Sequence, residues 1–314
     1  MGLLSPESVR TEPWTYESTP GQLVTTPSYR IFTTTTNERL LSRFPSFMEG
    51  ALAHYASAFV PLDRPAAPME LYLMGTRPQW ERLTRRFMGA DAGAYLRIER
   101  GGFSARGRAI LWDIGQRDTF AIAAHEGWHQ FTQSTFREPL PVALEEGLAT
   151  YLEGFRWTGA GRLQARFLPW ANFERFYQLR EAAANDRLMG VDELLRTAPQ
   201  DLVGGSNEAA LDYYAQVWAL SHFLMEGEGG IHREALLALI QDAATGRLGS
   251  RITRQLGSRA AGVHASRRRG VDVLAVYTGK PSVMLDAPYR EFVARVVRVG
   301  AVEKISRGQS PVAE

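Results

Sequence analysis

His125-Glu126-Gly127-Trp128-His129 sets two imidazoles four residues apart with an acid between them. On a helix, residues i and i+4 stand one turn apart on the same face, so both rings can grip a single metal ion. The intervening glutamate then lies beside the water that such an ion carries and can take its proton. This is the chemistry of a zinc-dependent hydrolase. The competing reading is a pair of core histidines bonded to backbone carbonyls, with Glu126 on a solvated face; it leaves a buried acid unexplained.

The metal reading asks for more than one helix. Asp118 is the expected N-cap of the helix that carries the pattern, and residues 119–133 contain no proline. Phe120, Ile122, Ala123, Ala124, Trp128 and Phe131 make that helix mostly buried. A catalytic zinc takes three protein ligands and keeps one position open. The stretch from Leu140 to Gly154, with Pro141 near its start and glycine at its end, predicts a helix of about three turns to supply the third. Glu145, Glu146 and Glu153 compete for the role. Val142, Ala143, Ala149 and Thr150 lie one turn either side of Glu146, with Gly147 adjacent. Such a small-residue face can approach another helix closely, which favours Glu146 as the ligand.

H-E-x-x-H followed by E-G-x-A on a second helix resembles the gluzincin metallopeptidases. The nearest likeness is to peptidase-MA-like bacterial proteins, whose helix carries E-G-x-A-x-Y. Here that string is Glu146-Gly147-Leu148-Ala149-Thr150-Tyr151, and 16 residues separate His129 from Glu146. The resemblance covers residues 117–154. It implies a zincin-like α+β fold, one catalytic Zn²⁺ held by His125, His129 and Glu146, Glu126 as general base, and a peptide or protein substrate. Gluzincin aminopeptidases also carry a tyrosine at the start of a later helix, where its hydroxyl supports the tetrahedral intermediate. Tyr214 matches that position best, with Tyr213 the substitute, and a tyrosine that only packs is the other reading. The G-x-M-E-N-like strand of the exopeptidases has no counterpart here. In gluzincins the strand before the metal-binding helix is a sheet edge that holds an extended peptide. The resemblance assigns that role to Ala109-Ile-Leu-Trp-Asp113, against the reading of an ordinary hairpin strand with Trp112 in the core. Two other functions share the same residues: a zincin-like protein that binds a peptide or partner without cutting it, and a zinc hydrolase of a non-peptide amide or ester.

Composition bounds these readings. The 314 residues are enough for one large domain or two smaller ones, and 45% hydrophobic content with seven tryptophans describes a globular protein. A net charge of +2 gives no sign of a nucleic-acid partner. With no cysteine, disulfides and thiolate metal sites are excluded. No apolar run reaches the length of a transmembrane helix. Residues 1–27, rich in Ser, Thr, Pro and Glu, read as a flexible lead-in. Leaders of this kind follow removed signal or lipid-anchor sequences, which leans the reading towards an exported protein and leaves the compartment open. Oligomeric state is not legible.

The elements that must position the site follow from periodicity. Residues 28–135 read as an α/β subdomain: strands at Tyr29–Thr34, Met69–Met74, Tyr95–Glu99 and Ala109–Ile114, and helices at Asn37–Phe59 and Gln79–Phe87, ending in the H-E-x-x-H helix. Residues 136–300 read as a helical subdomain carrying the third ligand, with helices at 167–185, 191–197, 211–225, 233–244 and 287–297. Residues 301–314 read as a C-terminal tail. The whole is an α+β arrangement, a small sheet followed by an all-α half. The segment from Arg251 to Arg269 is basic and glycine-punctuated, and reads as a solvated loop. His54, His222, His232 and His264 lack ligand-like spacing and read as structural or exposed.

Overall fold

The computed structural model of the protein describes residues 8–159, 164–202 and 207–313. It is a mixed α+β chain that divides into two compact units.

The first unit comprises residues 8–58, 63–135, 155–159 and 164–167. Its six-stranded sheet is built from β1 (Arg10–Tyr16), β2 (Thr19–Thr25), β3 (Tyr29–Thr33), β4 (Met69–Met74), β5 (Gly102–Ala105) and β6 (Arg108–Trp112), in the order β1-β2-β3-β4-β6-β5. The three central strands β3, β4 and β6 run parallel, and the other pairings are antiparallel. Helices α1 (Glu38–Leu41), α2 (Phe44–Tyr55), α3 (Arg77–Met88), α4 (Ala92–Tyr95) and α5 (Gln116–Thr135) accompany it. Alternation of side chains divides the central strands between two apolar faces. Phe32, Tyr72, Met74, Ile110 and Trp112 meet Trp80 and Leu83 of α3 on one face. Ile31, Leu71, Leu73 and Leu111 are buried on the other. Helix α5 packs on β5, β6 and α2. The hairpin β7 (Phe155–Thr158) and β8 (Gln164–Phe167) completes the unit, its Phe155, Trp157 and Phe167 gathered around Phe47.

Several sequence expectations are corrected. Residues 10–25 are not a flexible lead-in but the hairpin β1–β2. Their polar composition belongs to an outer strand whose residues are mostly exposed, where Pro13 is tolerated because it lies on the sheet edge. Tyr95–Glu99 forms no strand. Tyr95 ends α4 and packs its ring on Phe103, centroids 4.3 Å apart, so the half-buried aromatic reaches the core from a helical turn. Helix α5 begins at Gln116, two residues before the expected cap, and Asp118 in its first turn pairs with Arg100. Strand β6 is not an edge: it lies between β4 and β5, with Trp112 in the core against Trp80. The edge is β5.

The second unit comprises residues 59–62, 136–154 and 168–313. It contains α6 (Val142–Leu152), α7 (Phe173–Ala184), α8 (Val191–Arg196), α9 (Pro199–Leu202), α10 (Asn207–Glu226), α11 (Arg233–Thr245), α12 (Leu248–Leu256), α13 (Ser258–Arg267), α14 (Val271–Thr278), α15 (Asp286–Val296) and α16 (Ala301–Arg307). The 20-residue α10 is its centre, with Val217, Trp218, Phe223 and Leu224 fully buried and α6 and α7 against it. The basic stretch expected as a loop is the helical pair α12–α13, because Leu248, Ile252 and His264 supply a buried side. The expected tail includes α16, and the residues after it are tied down: Arg295 and Arg298 donate to the carbonyls of Val312 and Pro311, 2.7 and 3.0 Å.

Candidate metal centre

Helix α5 carries the H-E-x-x-H residues, and the side chains that seat it sit inside the motif's own turns. His125 and Glu126 are each buried, 8% exposed. The hydroxyl of Tyr55 on α2 donates to the carbonyl of Ala124 at 2.6 Å, just ahead of His125. Ser104 of β5 donates to the carbonyl of Glu126 at 2.7 Å. Gln130 donates through its amide to the carbonyls of Glu70 and Gly107, 2.6 and 2.9 Å. These bonds fasten one stretch of helix to the sheet, to a second helix and to the β5–β6 turn. Gly127 is the residue that permits the approach. A Cβ there would come 2.7 Å from the Tyr55 hydroxyl and 3.2 Å from the Met48 methyl. Burial drives the Tyr55 pKa well up, with smaller contributions from the neighbouring Tyr29 and Glu126, so it stays a neutral donor.

Helix α6 starts behind Pro141, and Val142 donates its amide to the carbonyl of Arg268 at 2.8 Å. The small-residue face predicted to admit a close helix meets α10. A Cβ on Gly147 would lie 2.6 Å from the Ser221 hydroxyl and 2.7 Å from the Val217 carbonyl oxygen. Ala143, Ala149 and Thr150 are buried, while Glu146 is half-buried.

The two imidazoles face each other, Nε2 to Nε2 at 3.1 Å, with ring centroids 4.8 Å apart and planes at 74°. Ligand atoms of His125, His129 and Glu146 all lie within 4.8 Å of one another, a group that could hold a metal ion. The fit is chemical as well as spatial: two nitrogens, each ~2.0–2.1 Å from a tetrahedral centre, stand about 3.3 Å apart. Glu145 is buried outside this group. Glu153 lies two turns on, where it accepts from Asn172 at 2.9 Å and pairs with Arg175 at 3.2 Å.

Of the two tyrosines, Tyr213 is fully buried and donates to the carbonyl of Thr197 at 3.2 Å. Burial pushes its pKa far up, and the charges of Glu146 and Asp201 add to that. Tyr214 is half-buried, and the Arg175 guanidinium lies 5.2 Å from its ring centroid. The remaining histidines belong to no candidate metal group among the described residues. His222 is fully buried, stacks on Trp170 and bonds to Glu226 at 3.4 Å; burial lowers its pKa, which Glu226 only partly opposes. His232 bonds to Glu228 at 2.8 Å. His54 stacks on Phe167, with its pKa lowered by burial to about 4. His264 is buried on α13.

Sequence reasoning missed Tyr55, Ser104 and Arg175. The glycine inside the motif was the available signal for Tyr55, since a mid-helix glycine costs stability unless something must come close. Ser104 and Arg175 offered none, because their partners are distant in sequence.

The fold and the site thus define a mixed α+β protein with a two-histidine, one-glutamate group that could hold a metal ion. Residues 119–247, which include the whole of α6 and α10 and most of α5, match a family described as a protein of unknown function, DUF1570. No curated protein matches the chain.

Proposed function

We propose that the protein is a zinc-dependent metallopeptidase of the gluzincin type. The observation that carries this reading is the convergence of the His125, His129 and Glu146 ligand atoms, with an acid between the two histidines on the same buried helix. Two imidazoles and one carboxylate are the donor set of hydrolytic zinc sites, and the absence of cysteine removes the thiolate alternatives. A zinc ion held there supplies Lewis acidity towards a scissile carbonyl and a water of lowered pKa.

The chain's own groups do the rest. The Glu126 carboxylate takes a proton from the attacking water and returns it to the leaving nitrogen. A neutral phenol can donate to the developing oxyanion; the bond of the Tyr213 hydroxyl to the Thr197 carbonyl favours Tyr214 for the role. The peptide-binding edge passes from β6 to β5, which pairs with no strand on its outer side among the described residues. An extended substrate adds to such an edge through backbone hydrogen bonds, whatever its side chains. The bond from Ser104 to the Glu126 carbonyl fixes that edge against the helix carrying the base.

Digestion of a peptide library by the zinc-loaded protein beside Glu126→Gln tests the proposal. Defined cuts by the wild type, none by the variant, and equal zinc in both are expected. Loss of zinc with Glu126→Gln would make Glu126 structural. A zinc-loaded wild type that leaves every peptide intact would overturn the peptidase reading in favour of a silent binding protein or a hydrolase of non-peptide substrates.

A further inference from the structure

The helical pair α12–α13 carries a charge that nothing in the proposed chemistry uses. Residues 247–269 contain seven arginines and no acidic residue, so the remaining 291 residues hold 29 basic against 34 acidic side chains. Three of the seven are engaged within the second unit. Arg247 and Arg251 pair with Asp242, 3.0 and 3.1 Å, and Arg268 donates to the carbonyl of Leu140 at 2.8 Å. The other four, Arg254, Arg259, Arg267 and Arg269, are exposed and have no carboxylate partner among the described residues.

The same surface exposes apolar side chains. Leu256 is 47% exposed at the turn between the helices, and Val263 is 40% exposed on α13. Arg259, Val263 and Arg267 recur every four residues, so cation, aliphatic and cation lie along one stripe of α13. The pair is held from its inner side: Leu248 and Ile252 are fully buried, and the Gly249 amide donates to the Glu138 carboxylate at 3.1 Å. Among the described residues, its outer side is left exposed, with Arg254, Leu256, Arg259, Val263 and Arg267 open to solvent.

We propose that the outer face of α12–α13 docks the protein on an anionic lipid surface. Unpaired arginines interleaved with aliphatic side chains match the boundary between phosphate headgroups and acyl chains, where guanidinium groups bind phosphate and their stems follow the apolar side. Residues 247–269 contain no Phe, Tyr or Trp, so the face offers no platform for stacking bases and does not suit single-stranded nucleic acid.

Co-sedimentation of the full chain with vesicles tests this docking. The wild type is expected to bind vesicles of phosphatidylcholine containing about a third phosphatidylglycerol, to ignore phosphatidylcholine alone, and to be released by about 0.5 M salt. The variant Arg254→Glu/Arg259→Glu/Arg267→Glu should bind at least about 100-fold more weakly, at roughly fivefold per arginine. Should charge reversal impair folding, the Gln triple variant and Leu256→Ser/Val263→Ser replace it, each expected to bind more weakly while melting as the wild type does. A wild type that stays in the supernatant, or a folded variant that binds equally well, overturns the proposal. Salt-sensitive capture by polyglutamate or RNA without vesicle binding also overturns it, and assigns the face to that polymer instead.

Discussion

Gly127→Ala probes the seating of the motif helix at its tightest point. In an open helix interior this change stabilises by about 1 kcal/mol, because alanine loses less backbone entropy than glycine. Here the new methyl would stand 2.7 Å from the Tyr55 hydroxyl, itself held by a 2.6 Å bond to the Ala124 carbonyl. Overpacking of this kind costs about 1–3 kcal/mol, which cancels that gain and should leave a net loss of up to about 2 kcal/mol. Tyr55→Phe alone should cost about 1 kcal/mol, the net worth of one buried hydrogen bond. With that hydroxyl gone, the next obstacle is the flexible Met48 methyl at 3.2 Å, which can move aside. Alanine at 127 should then be neutral or stabilising in the Tyr55→Phe background. The four proteins form a double-mutant cycle, read by urea denaturation with a shared m-value, and its coupling should equal the relieved overpacking, about 1–3 kcal/mol. Additive effects within about 0.5 kcal/mol would refute the claim that the Tyr55 hydroxyl dictates glycine at this position.

Other perturbations reach different groups. Tyr214→Phe should lower kcat on a cleaved peptide by about 10- to 1000-fold with zinc retained, in line with the loss of one oxyanion donor, while Tyr213→Phe should mainly lower stability; equal kcat in Tyr214→Phe would remove Tyr214 from the mechanism. His54 has a folded pKa of about 4 against 6.5 when unfolded, so the unfolded chain binds more protons between those values. Stability should therefore fall as pH drops from about 6.5 to 4, by up to about 3 kcal/mol from this residue, and His54→Leu should flatten the slope. A His54→Leu slope identical to wild type in urea titrations would show that His54 is not the group responsible. Glu146→Gln should weaken metal binding, read by zinc titration of the metal-free protein beside the wild type; equal zinc affinity in the two would remove Glu146 from the ligand set.

The central parts of this molecule are legible in its sequence because they rest on strong local periods. Met69–Met74 reads at its observed limits, and α5, α6, α10 and α11 follow from helical spacing in long apolar segments. The histidine pair is legible because i, i+4 spacing on a helix is a local signal with a direct spatial meaning, whereas the small-residue face that favoured Glu146 packs on α10 and not on the helix of the histidines. What is lost depends on pairing over distance. Strand β5 follows β4 in sequence but lies beyond β6, so the identity of the edge strand turns on topology and not on composition. The hairpin β1–β2 looks like a polar leader because most of its first strand faces water, and the short β7–β8 hairpin has no long alternation to betray it. Helices α12 and α13 are hidden by glycines and arginines on their exposed sides.

The most direct test of the central claim is the metal content of the purified, zinc-reconstituted protein, with Glu146→Ala and Glu145→Ala measured beside it. About one zinc per chain is expected in the wild type and in Glu145→Ala, with a large loss in Glu146→Ala. A wild type that binds no stoichiometric zinc, or a zinc content that survives Glu146→Ala and disappears with Glu145→Ala, would contradict the claim.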